Sequence, residues 1–167
     1  MILIDFENIE PWSCSLGANR PEWTEEIYNS KFFGNQIFIV NGKDFSGDFP
    51  VLGFARRLNE ILFNLKHKES HQIFKDPEFQ AAFFIEFSMH DELVTLTARG
   101  SVDGAPLFST DVLFDEIASN AAEYLIRVIG HCSQICPELK DQDVQRWLSD
   151  FTLPTWGHRL QGTQGTD

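Results

Sequence analysis

Two histidines four residues apart, His67 and His71, are the first pair in this chain whose type and spacing suit chemistry. On one helix they would share a face, as zinc ligands often do. No Glu completes an H-E-x-x-H arrangement, and Lys66, Lys68 and Lys75 crowd the spot with positive charge. A solvated helix end is the expected reading. His131, Cys132 and Cys136 form a second cluster, "HCSQIC". A C-x3-C pair with no second pair reads as small buried hydrophobes or free thiols rather than a zinc site. Glu78 with Glu86, or Asp91 with Glu92, are paired carboxylates of the kind acid–base catalysis uses. Among 25 acids, however, near neighbours are unavoidable, and solvated strand and turn charges are the simpler account. "GKDFSGDF" lacks the spacing of a phosphate loop, and no G-x-S-x-G elbow occurs. No catalytic residue, metal or cofactor is expected, and nothing in these spacings asks for an enzyme.

Charge is the stronger signal. The 167 residues carry 25 acids against 13 Lys and Arg, a formal net charge of −12. Such a balance repels phosphate backbones and anionic lipid, which argues against a nucleic-acid or membrane partner and suits docking to a basic protein. The excess is uneven: residues 76 to 123 hold ten acids and one base, Arg99. Residues 49 to 75 are instead net +3. A field this lopsided speeds encounter with a basic protein. The candidate contact residues are therefore Asp91, Glu92 and Asp103 in predicted turns, with Asp111, Asp115 and Glu116 near the start of a predicted helix. Glu22, Glu25 and Glu26 offer an alternative contact face. The opening "MILIDFENIEPWS" has neither the basic start of a signal peptide nor an uninterrupted apolar run. Three cysteines, an odd set, point to a reducing cytoplasm.

These charges need elements to hold them. Hydrophobic content of 43%, with sixteen Phe and four Trp, is ample for one core. Residues 1 to 6 read as a short strand, and 10 to 30 as a loop with a single helical turn near "PEWTEEIY". "NQIFIV" is a strand, Asn41-Gly42 a hairpin turn, and "DFSGDF" a shorter strand. From Pro50 the period changes: Leu52, Ala55, Leu58, Ile61, Leu62 and Leu65 form one helical stripe, closed by "KHKESH". "HQIFK", residues 78 to 88, residues 93 to 99 and "LFSTDVLF" then read as an antiparallel meander turning at "MHDE" and "SVDGAP". Within it Phe79, Phe83, Phe84, Ile85, Phe87, Leu93, Val94 and Leu96 ask for burial. A helix over about 112 to 130, stopped at Gly130, covers the sheet, and a short helix follows over about 138 to 150. The fold class is α+β: an antiparallel sheet with helices packed on one face. Residues 1 to 155 form a single domain, and the aperiodic residues 156 to 167 a flexible tail.

The succession "DFSGDFPVLGFARRLNEILFNL", "HQIFKDPEFQAAFFIEFSMHDELVTLTARGSVDG" and "LFSTDVLFDEIASNAAEYLIRVI" resembles the small acidic immunity proteins of bacterial polymorphic toxin and contact-dependent growth inhibition systems, including the Wap-type family. In that family a short strand ending in an aromatic leads into a helix, then an "F.dpe" strand, a turn, further strands and a long helix. The likeness covers roughly residues 36 to 130 and is structural, with no chemical signature. It implies a protein that neutralises a cognate toxin domain, commonly a basic nuclease, by covering its substrate surface. The rival class is a small-ligand-binding or catalytic domain with an aromatic-lined pocket, and a third is a protein-interaction adaptor with no toxin involved.

Overall fold

The computed structural model describes residues 1 to 8, 11 to 13, 20 to 29, 31 to 75 and 82 to 152. Two antiparallel sheets carry the fold. In the first, β1 (Ile2–Asn8) pairs with β2 (Phe33–Val40) along its full length, from Ile2 opposite Val40 to Asn8 opposite Gly34. Asn41 and Gly42 both have positive φ, 49° and 76°, which is what a two-residue hairpin between right-twisted strands demands. The returning chain pairs with β2 as β3 (Lys43–Asp44) and β4 (Gly47–Pro50). Between them Ser46 Oγ accepts the Phe38 N–H at 3.0 Å, so a side chain stands in for one rung of the ladder.

The second sheet is the expected meander: β5 (His71–Phe74), β6 (Phe83–His90), β7 (Leu93–Gly100) and β8 (Pro106–Leu113), in that order. Strict alternation decides which side faces the core. Ile85 and Phe87 of β6, Val94, Leu96 and Ala98 of β7, and Val112 of β8 are buried. Helices α2 (Val51–His67) and α3 (Phe114–Ile135) lie over that side of both sheets and pack on each other. Asn59, buried between them, donates to the Ala55 and Ala121 carbonyls at 2.9 and 3.0 Å. Tyr124 of α3 donates to Gln36 Oε1 of β2 at 2.5 Å. Phe45 and Phe108, 5.1 Å apart, join the sheets, beside an Asn41 Nδ2 to Asp111 carbonyl bond of 2.8 Å.

Three expectations need correcting. Arg20–Asn29 is a ten-residue helix, α1, not a loop with one turn. Its support is tertiary: Ile27 is fully buried, and its carbonyl meets α2 at Gly53. α3 runs through Gly130 to Ile135, because Cys132 continues the buried stripe of Leu125 and Val128. The C-terminal helix is shorter than expected, a 3₁₀ turn (Pro137–Lys140) followed by α4 (Gln142–Leu148). Asp141 accepts from the Asp143 and Val144 amides and starts α4 there. Phe79, Glu78 and the 156–167 tail lie outside the described residues.

Candidate protein-interaction surface

Successive turns of a meander fall at opposite ends of the sheet, and this sorts the predicted acidic residues. His90 pairs with Leu93, leaving Asp91 and Glu92 as the two-residue tip between β6 and β7. Leu113 pairs with Leu93, and α3 begins one residue later, where the Phe114 N–H donates to the Glu92 carbonyl at 2.8 Å. Asp91, Glu92, Asp111, Asp115 and Glu116 therefore gather at one end, all exposed. Asp103 does not join them. It sits in the β7–β8 turn, separated by the eight residues of β7, a distance of about 25 Å. Glu22, Glu25 and Glu26 lie on α1, which packs against α2 and β4, at the far end of β2 from the Asn41–Gly42 turn.

Not all of these carboxylates are unemployed. Asp91 has φ 54°, a left-handed conformation that Asp tolerates better than most residues, and its Oδ2 lies 3.2 Å from His90 Nδ1. Asp103 Oδ1 accepts the Ala105 N–H at 3.0 Å, and so holds its turn. Asp111 Oδ1 accepts the Thr95 hydroxyl at 2.6 Å. Asp115 and Glu116 complement the start of α3. Glu92 has no side-chain ion pair among the described residues.

Among the described residues, the side of β5–β8 turned away from the helices is left part-exposed. Its centre is a charge network unforeseen from spacing. Glu86 of β6 is bonded by Arg99 of β7 on one oxygen, and by His71 Nε2 of β5 at 2.6 Å on the other. The hydrogen bonds from Arg99 and then His71 hold the Glu86 carboxyl below the usual carboxylate range. His71 thus belongs to a strand, whereas His67 ends α2, so they share no helix face. Around this network Ile73, Leu93, Leu107 and Leu113 stand 44, 46, 56 and 53% exposed. Leu93 was expected inside. Its alternation with Thr95 and Thr97 was the signal that it belongs to the outer side.

The Cys–His cluster separates as well. Cys132 is a buried free thiol whose pKa burial pushes up to about 12. Cys136 is buried, as one of the two expected readings had it, and is disulfide-bonded rather than a free thiol. Because disulfides persist in oxidising surroundings, the odd cysteine count does not by itself place the chain in a reducing one. His131 packs edge-on to Phe6 and Trp12 at 5.4 and 5.6 Å. Among the described residues no three His, Cys, Asp or Glu side chains group closely enough to hold a metal ion, and no helix is long and apolar enough to cross a membrane. Fold and surface together define an α+β protein with one acidic end and, among the described residues, a part-exposed sheet face. No protein-family model, curated protein or solved structure matches the chain.

Proposed function

We propose that this chain is an immunity protein: it binds a cognate bacterial toxin domain of basic, nuclease type and neutralises it by covering its active-site surface. The supporting observation is the gathering of Asp91, Glu92, Asp111, Asp115 and Glu116 at one end of the meander. A nuclease surface is basic because it binds phosphate, and an acidic end matches that charge. Inhibition by coverage needs no turnover and no cofactor in the inhibitor. The reading places the chain in the cytoplasm, where a nuclease would find its substrate.

The test uses the C-terminal domain of the protein encoded immediately upstream of this chain, measured for binding across a salt series. Reversing Glu92 to Lys and neutralising Asp115 to Asn should slow association and flatten its salt dependence, because rim charges act mainly on the encounter. Asp91 and Asp103 are left unchanged because they hold their turns. Absence of binding by the unaltered chain would refute the proposal.

A further inference from the structure

Leu93 and Leu113 face each other across β7 and β8 on the outer side of the sheet, about half exposed. Single exposed leucines are ordinary on any protein surface. This pair is not scattered: directly opposed side chains have Cβ atoms about 5 Å apart and form one apolar spot. Among the described residues its neighbours are mostly acidic, with His90 opposite Leu93 on β6 as the exception. The Asp91–Glu92 tip immediately precedes Leu93, and Asp111 shares the outer face two residues before Leu113. Asp115 follows in the first turn of α3.

An apolar spot framed by carboxylates selects its occupant. Its centre favours an apolar side chain, and its frame favours Lys and Arg around that side chain. A second copy of this chain fits poorly. Each copy carries a net charge of −12, and a two-fold contact centred on the leucines would set acidic end against acidic end.

Resting on the immunity reading, we propose that Leu93 and Leu113 are the apolar anchor through which the basic partner docks, with Asp91, Glu92, Asp111 and Asp115 as its rim. The two parts act on different steps. The rim sets how fast the partner arrives, and the buried anchor sets how long it stays.

The double variant Leu93→Thr/Leu113→Thr separates them. Threonine suits a strand and also suits the position before α3, so the melting temperature of the variant should match that of the unaltered chain. Binding kinetics are read with the upstream-encoded C-terminal domain across the same salt series. Dissociation should quicken by about tenfold or more, with association rate and salt slope unchanged. Leu107→Thr, at the other end of the face, should bind as the unaltered chain does. If the unaltered chain binds but the double variant dissociates at the same rate, the anchor assignment is wrong while the immunity reading stands. An equal loss from Leu107→Thr overturns it too. If the unaltered chain does not bind, both readings fall. A dimer at micromolar concentration that the double variant dissolves would make a second copy the occupant, against this proposal.

Discussion

Arg56 is a charge buried at the meeting of three helices. Its side chain, 6% exposed, donates to the Trp147 carbonyl at 3.2 Å and to the Tyr28 hydroxyl, with its guanidinium 4.1 Å from the Trp147 ring centre. Arg56→Ala leaves both acceptors unpaired and opens a gap among rings. We expect a loss of about 2–4 kcal/mol in urea unfolding. Arg56→Lys should recover only part of it, since an ammonium cannot lie flat on the indole while reaching two acceptors. Titration exposes other residues. The folded pKa of Glu86 is depressed, so its stabilisation is present above its ordinary value of 4.5 and is lost as pH falls through the folded value. Cys132 works in the opposite sense. The folded protein keeps a proton that the unfolded chain releases, so stability declines as pH rises from 9.0 towards about 12. Burial raises Tyr124 likewise and steepens that alkaline loss above 10.0. Unfolding free energy measured against pH should therefore fall on both flanks. Glu86→Gln should flatten the acid limb and Cys132→Ala the alkaline one; a limb unmoved by its variant would mean another group sets it.

Two helical glycines separate local from tertiary causes. At Gly53 in α2 an added Cβ would lie 2.6 Å from the Ile27 carbonyl and 3.0 Å from Tyr28 Cα, both backbone atoms of α1. At Gly130 in α3 an added Cβ would meet nothing within 4 Å. Alanine favours either helix by up to about 1 kcal/mol. Gly130→Ala should realise that gain, whereas Gly53→Ala should push α1 off α2 and destabilise by about 2 kcal/mol despite it. Denaturant midpoints moving in opposite directions would confirm the contrast. Gly53 also explains what the sequence left hidden. The meander was legible because each strand states its two faces within eight residues, and α2 because one stripe repeats over four turns. α1 offers only Trp23, Ile27 and Tyr28, and its stabilising partner lies about two dozen residues further on. Gly130 misled for the complementary reason: a glycine ends a helix only where the buried stripe also ends, and Cys132 carries that stripe onward. The acidic candidates were legible as residue types but not as a group. Strand order sent Asp103 to one end of the sheet and Glu92 to the other.

At the scale of the molecule, the question is what an acidic end, offset by the Met1 amino group 3.7 Å from Glu116, does to the fold that carries it. Like charges gathered at one end repel, and the net charge of −12 adds a long-range term that opposes compaction. At about 0.01 M salt the screening length is near 30 Å, longer than the cluster; at about 0.15 M it is near 8 Å. The melting temperature should therefore rise with added sodium chloride over that range. Glu92 isolates the cause, because its side chain holds no turn, caps no helix and is exposed. Glu92→Lys should raise the melting temperature by a degree or two at low salt, a gain of a few tenths of a kcal/mol, and reduce the salt response. Such a gain would mean the native glutamate is kept at some cost to stability, as recognition surfaces commonly are. If Glu92→Lys instead lowers the melting temperature at low salt, the cluster is compensated within the fold by neighbouring cations. The Met1 amino group, 3.7 Å from a Glu116 carboxylate oxygen, would be the first to examine. The acidic end would then be a structural feature, and its claim to a basic partner would weaken accordingly.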